Sequence, residues 1–283
     1  MLGKLIKYEQ KATYKVLTII NFVIILLTLI GAFILNTNIF NNSESIPLAI
    51  LLVIFYSLSL IAMGIIIVIY LYIRFYKNLF TAEGYLMHTL PVTPLQLFHS
   101  KLIVGYFWTF LNSLLMILSI STLGFVVGYH ITKVEQLNFI EFFTENGIQL
   151  SEKESFAISF QKIFGYTPEG FVILLLILLI VSCFSSLLMG YLSILLGQLV
   201  EKYKLAASVG FYIVIYIVNQ VISSFIMILP NLKFMISSID NTEFFISDFY
   251  KNLLPLSIIT QLLLGIIFYF MSVLLVQRKV NLD

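Results

Sequence analysis

Hydrophobic and polar positions in this chain segregate into long blocks instead of alternating at a short period. Six blocks hold no Asp, Glu, Lys, Arg or His: residues 16–35, 46–73, 102–129, 171–199, 205–229 and 253–276. A helix needs about 20 apolar residues to cross a bilayer. In lipid the backbone must satisfy its own hydrogen bonds, which restricts uncharged spans of this kind to helices. The pattern therefore predicts an all-α integral membrane fold with six transmembrane helices in a single domain, 1–283. The first block is longer than a signal-peptide core of ~7–15 residues and is followed by Asn36-Thr37-Asn38 without a small-residue cleavage site, so it is expected to be retained as a span.

Composition agrees with this picture. Hydrophobic residues make up 60% of the chain and charged residues 11%, against roughly 25% charged in a soluble domain. The net charge of +2 hides two opposite faces. The termini and the segments after the second and fourth blocks carry eleven Lys and Arg (Lys4, Lys7, Lys11, Lys15, Arg74, Lys77, Lys101, Lys202, Lys204, Arg278, Lys279) against Glu9, Glu83, Glu201 and Asp283. The other side holds Lys133, Lys153, Lys162, Lys233 and Lys251 against ten acids. Lys/Arg bias sets orientation, so both termini are expected on the cytoplasmic side of a plasma membrane. Topology and anionic lipid account for the basic face. No basic run with interleaved aromatics points to nucleic acid.

Candidate chemistry is sparse. The three histidines do not assemble a metal site: His88 and His99 are eleven residues apart with Pro91 between them, and His130 is predicted on the other side of the membrane. The blocks hold no base for a serine nucleophile. Cys183 is alone and sits in an apolar block as a small hydrophobe. No enzyme, metal or cofactor is expected of this chain. An ion-driven pump needs an ionisable relay inside the membrane, and none is present in the blocks.

Two polar segments carry structure of their own. In residues 1–15, Lys4, Lys7, Lys11 and Lys15 fall within about 80° of one another at helical spacing. Leu2, Leu5, Ile6 and Ala12 lie on the far side, which predicts an amphipathic helix on the inner leaflet. Glu9 interrupts the apolar side. It either reaches water at the helix end or pairs with a cation of the next cytoplasmic segment. That segment, residues 74–101, reads RFYKNLFTAEGYLMHTLPVTPLQLFHSK. Thr81 with Glu83 can open a short helix, which Pro91 ends. Thr93-Pro94-Leu95-Gln96 is a capping box with proline at the first helical position, launching the third span. The short helix, about 82–89, exposes Glu83, Tyr85, Leu86, Met87 and His88. Its apolar face either docks a partner or lies on the membrane.

The order of a basic amphipathic N-terminal helix (LGKLIKYEQKATYK), two spans and a connecting segment EGYLMHTLPVTPLQLFHSKL resembles the permease subunit of a bacterial type-2 ABC exporter. The resemblance covers the first ~125 residues. It implies that residues 1–15 are an elbow helix. It also implies that 82–89 is a coupling helix, with Glu83, Gly84, Tyr85, Leu86, Met87 and His88 docking into a cytoplasmic ATPase. It implies a second permease subunit, identical or related, and export of an amphipathic peptide, antibiotic or lipid. Consistent with a separate ATPase, no G-x-x-x-x-G-K-[ST] loop occurs. The rival reading is a non-transporting sensor or immunity protein that binds a peptide, which has no need of a docking helix.

Within the spans, small residues recur every four positions at Gly105, Thr109 and Ser113, at Gly124 and Gly128, and at Ser182, Ser186 and Gly190. Such stripes predict close helix contact. The polar residues there are Asn21, Asn112, Asn219, Gln220 and Gln261. Of these, Asn112, Asn219 and Gln220 are candidate pathway residues. Outside, 130–170 is expected as an acidic loop, and 230–252 as a loop dipping into the interface, where the family places short re-entrant helices.

Overall fold

A computed structural model describes residues 1–35, 46–81, 92–135, 160–161, 164–237 and 243–279. Among them no strand occurs. The helices are α1 (Leu2–Leu35), α2 (Ile46–Phe80), α3 (Pro94–Glu135), α4 (Pro168–Gly197), α5 (Lys204–Ser237) and α6 (Glu243–Lys279). All six are long and apolar enough to cross a membrane. Each also extends past its charge-free block at one end or both. With 42 residues at about 1.5 Å each, α3 is about 63 Å long, twice a ~30 Å hydrocarbon core.

The chain divides into two compact units, the first holding α1–α3 and the second α4–α6. In the first, each helix packs on the other two. The face of α1 that meets its neighbours carries Glu9, Thr13, Leu17, Asn21 and Ile24, all buried. Ile19, Phe22, Leu29 and Phe33 of the same helix are exposed and fit a lipid-facing side. This buried stripe runs without a break from the amphipathic turns into the apolar block. Residues 1–15, expected as an amphipathic helix on the inner leaflet, are helical and continuous with the first span in α1. The physical reason is Glu9: the side it occupies is a protein contact and not a lipid contact. Lys4, Lys7, Lys11 and Lys15 remain exposed on the other side.

The start of α3 follows the capping box. Gln96 N–H donates to Thr93 Oγ1 at 3.3 Å, and Thr93 N–H to Gln96 Oε1 at 3.4 Å. Thr81 follows the last residue of α2, and the short helix expected after it lies outside the described residues. The Thr81 hydroxyl donates to the Lys77 carbonyl at 2.6 Å, closing the last turn of α2.

In the second unit α4 packs on α5 and α6, and these pack on each other. Thr167 caps α4 with Pro168 as its first residue. At that end Phe160, Phe164, Phe171 and Tyr250 form a ring cluster, with centroids 4.5–5.4 Å apart. Tyr166 OH donates to the Lys251 carbonyl at 2.8 Å. At the other end a turn over 198–203 places Tyr203 at φ 58°. Residues 230–237 and 243–252, expected as loop, are helical ends of α5 and α6. Pro230 and Pro255 do not end their helices, because a proline removes one ladder hydrogen bond that the rest of a long helix tolerates. No separate re-entrant helix occurs among the described residues.

The small-residue stripes are partly displaced. Gly105 and Thr109 are buried as expected, but the Cβ position of Gly124 meets nothing within 4 Å. On α4 Ser186 is exposed while Ser185 is buried against Gly265 of α6, whose Cβ would lie 3.5 Å from Ser185 Cβ. Gly190, the third member of that stripe, is buried as expected.

Candidate functional site

Three charged side chains meet at the N-terminal end of the α1–α3 unit. Arg74, on the last two turns of α2, donates from Nε to Glu9 Oε1 at 2.6 Å. Lys101, on the second turn of α3, donates from Nζ to Glu9 Oε2 at 3.1 Å. Each carboxylate oxygen thus takes one cation. Lys101 is 4% exposed, the Glu9 side chain 10% and Arg74 22%. Of the two readings open for Glu9, the structure selects pairing with the next polar segment, and it pairs with both flanks at once. The partners lie 65 and 92 residues away. A buried carboxylate is costly unless paired and hydrogen-bonded, so Glu9 ties α1 to the end of α2 and the beginning of α3.

An apolar contact supports the same place. Phe75 and Phe98, both almost fully buried, meet edge to face at 6.2 Å. Leu79 and Leu97 are buried beside them in sequence. The segment between α2 and α3 is therefore flanked by a fixed ionic and aromatic frame. Its expected docking residues, Glu83, Gly84, Tyr85, Leu86, Met87 and His88, lie outside the described residues, as does the expected helix 82–89.

Deeper in the same unit, hydroxyls from three helices converge. Thr28 Oγ1 lies 2.5 Å from Ser119 Oγ and 3.2 Å from Tyr56 OH, and Tyr56 OH also contacts Ser119 Oγ. None of these three was singled out in the sequence. Replacing Tyr56 with Phe is expected to cost about 0.6 kcal/mol, and at most ~1.7, measured as loss of unfolding free energy in mixed micelles. A loss near 3 kcal/mol would show that the tyrosine does more than bridge helices.

The candidate pathway residues are distributed over both units. Asn112 is buried in the first unit and its amide N–H points to Met116 Sδ at 3.6 Å, a weak acceptor. Asn219 and Gln220 are in the second unit. Asn219 has a buried, unpartnered Oδ1, while Gln220 is on the exposed side of α5. The two therefore do not line one surface of that helix. Among the described residues no group of three or more His, Cys, Asp or Glu side chains is placed to hold a metal.

The fold and this site define an α-helical, multi-pass membrane protein. No family model, curated protein or solved structure matches the chain.

Proposed function

We propose that this chain is the permease subunit of an ATP-driven ABC exporter of the type-2 kind, working in a bacterial plasma membrane with both termini cytoplasmic. The observation that supports it best is the Glu9–Arg74–Lys101 knot. A segment that receives force from a cytoplasmic ATPase must hand that force to the membrane helices. Here the two helices flanking 82–91 are locked to each other and to α1. A push on the segment then moves three helices together. A separate subunit hydrolyses ATP, a second permease chain completes the pathway, and an uncharged interior suits an amphipathic peptide, antibiotic or lipid.

Purification of the chain from its native membrane in mild detergent, followed by mass spectrometry, tests the reading. The expected result is a stoichiometric cytoplasmic ATPase that is lost when Leu86 or Met87 is replaced by Asp, with the helices still folded. Recovery of a peptide or sensor partner and no ATPase would transfer the assignment to the non-transporting alternative.

A further inference from the structure

The first unit contains polar side chains that none of the preceding contacts satisfies. Asn21 is 5% exposed and neither its Oδ1 nor its Nδ2 has a hydrogen-bond partner. Asn112 and Trp108 are each 4% exposed, with Asn112 Oδ1 and Trp108 Nε1 unpartnered. Thr18 Oγ1 is in the same condition. Buried amides and indole N–H groups are rarely left so.

Their positions are related. The α1 and α3 axes run in the same direction, since Glu9 meets Lys101 at one end and Thr28 meets Ser119 further along. Asn21 lies seven residues before Thr28, and Asn112 seven before Ser119. Seven residues are two helical turns and return to within about 20° of the same direction. The two amides are therefore on the mutually facing sides, two turns below the hydroxyl contact. Trp108 is one turn further down α3 on a neighbouring direction. α2 closes the third side: a Cβ at Gly64 would meet Met116 at 3.2 Å, and Met116 receives the Asn112 amide.

We infer that α1, α2 and α3 enclose a hydration site between Asn21 and Asn112, holding one or two water molecules within reach of Trp108. The unpartnered groups mix donors (Asn21 Nδ2, Trp108 Nε1) with acceptors (Asn21 Oδ1, Asn112 Oδ1). Water both donates and accepts, and typically makes about three such bonds when buried. A cation would be repelled by the N–H groups, and an apolar molecule would leave every one unmet. A water-bridged layer also keeps its hydrogen bonds through small shifts, where interdigitated apolar packing resists them. The inference does not depend on the transport reading.

Trp108 is the only tryptophan of the chain, so its fluorescence reports the site without background. The full chain is reconstituted in lipid nanodiscs and measured in H2O and D2O. Wild type is expected to emit at longer wavelength than N21L/N112L, to gain yield in D2O, and to resist quenching by acrylamide. The isotope response is expected to vanish in the double variant. Emission typical of a dry apolar pocket, with no D2O response in wild type, overturns the proposal. Strong acrylamide quenching overturns it as well, since the site would then open to bulk solvent. The wild-type comparison needs no substitution, so the test survives a double variant that does not fold.

Discussion

Replacing Glu9 with leucine is expected to remove about 3 kcal/mol from the stability of the α1–α3 unit. Deleting one partner of a buried ion pair costs ~3–5 kcal/mol, because the remaining charge stays buried without compensation. The lower figure applies because Arg74 is 22% exposed and keeps some access to water. Lys101, at 4% exposed, does not. Lys101→Leu in the E9L background should therefore recover more stability than Arg74→Leu does. The triple leucine variant should approach wild type, since a buried ionic triad exchanged for apolar side chains is often neutral. Unfolding in mixed micelles followed by far-UV circular dichroism gives the comparison. An E9L variant within about 0.5 kcal/mol of wild type would show that the triad does not hold the three helices. Under the proposed function, the stable triple variant should still bind the ATPase yet transport poorly, because the lock between helices is ionic in direction and length.

The six helices were legible because a charge-free stretch of more than about 20 residues has few fates other than a span. Their true lengths were not. Charged residues continue a helix past the hydrocarbon as readily as they end it, so Arg74 and Lys77 read as loop while lying in α2. Glu9 was visible as a misfit on an apolar face, and the misfit was the signal. Its partners were not, because only the three-helix geometry brings residues 65 and 92 positions away to one carboxylate. Thr28, Tyr56 and Ser119 gave no signal at all. A span hydroxyl can satisfy itself on its own helix, as Thr28 also does on the Ile24 carbonyl at 2.8 Å. Four-residue stripes of small residues mark that a helix has a close-contact side, but Ser185 and Ser186 differ by one residue and face different ways. Polarity alone marks Asn112 as a pathway candidate and does not set it apart from Asn21, whose two unpartnered atoms only the packed structure reveals.

Gly197→Ala is expected to destabilise the second unit by at least about 2 kcal/mol, within or above the ~1–3 kcal/mol usual for overpacking. Gly197 closes α4 where the chain turns into α5. A Cβ there would lie 2.7 Å from both Ser208 N and Ser208 Cα, and would collide with Ser208 Oγ. Two of these three obstacles are backbone, so no rotamer change relieves them; α5 itself must move. Ser208→Ala in the G197A background removes only the hydroxyl, leaves both backbone obstacles in place and should restore little. Gly210, two residues further on α5, supplies the control. A Cβ at that position meets nothing within 4 Å, and alanine is favoured over glycine in a helix by up to ~1 kcal/mol. Gly210→Ala should therefore leave stability unchanged or raise it. The opposite signs separate steric contact from helix propensity, since propensity alone would make both alanines favourable. If both variants unfold at the wild-type midpoint, α4 and α5 do not approach at Gly197 as closely as the structure has them.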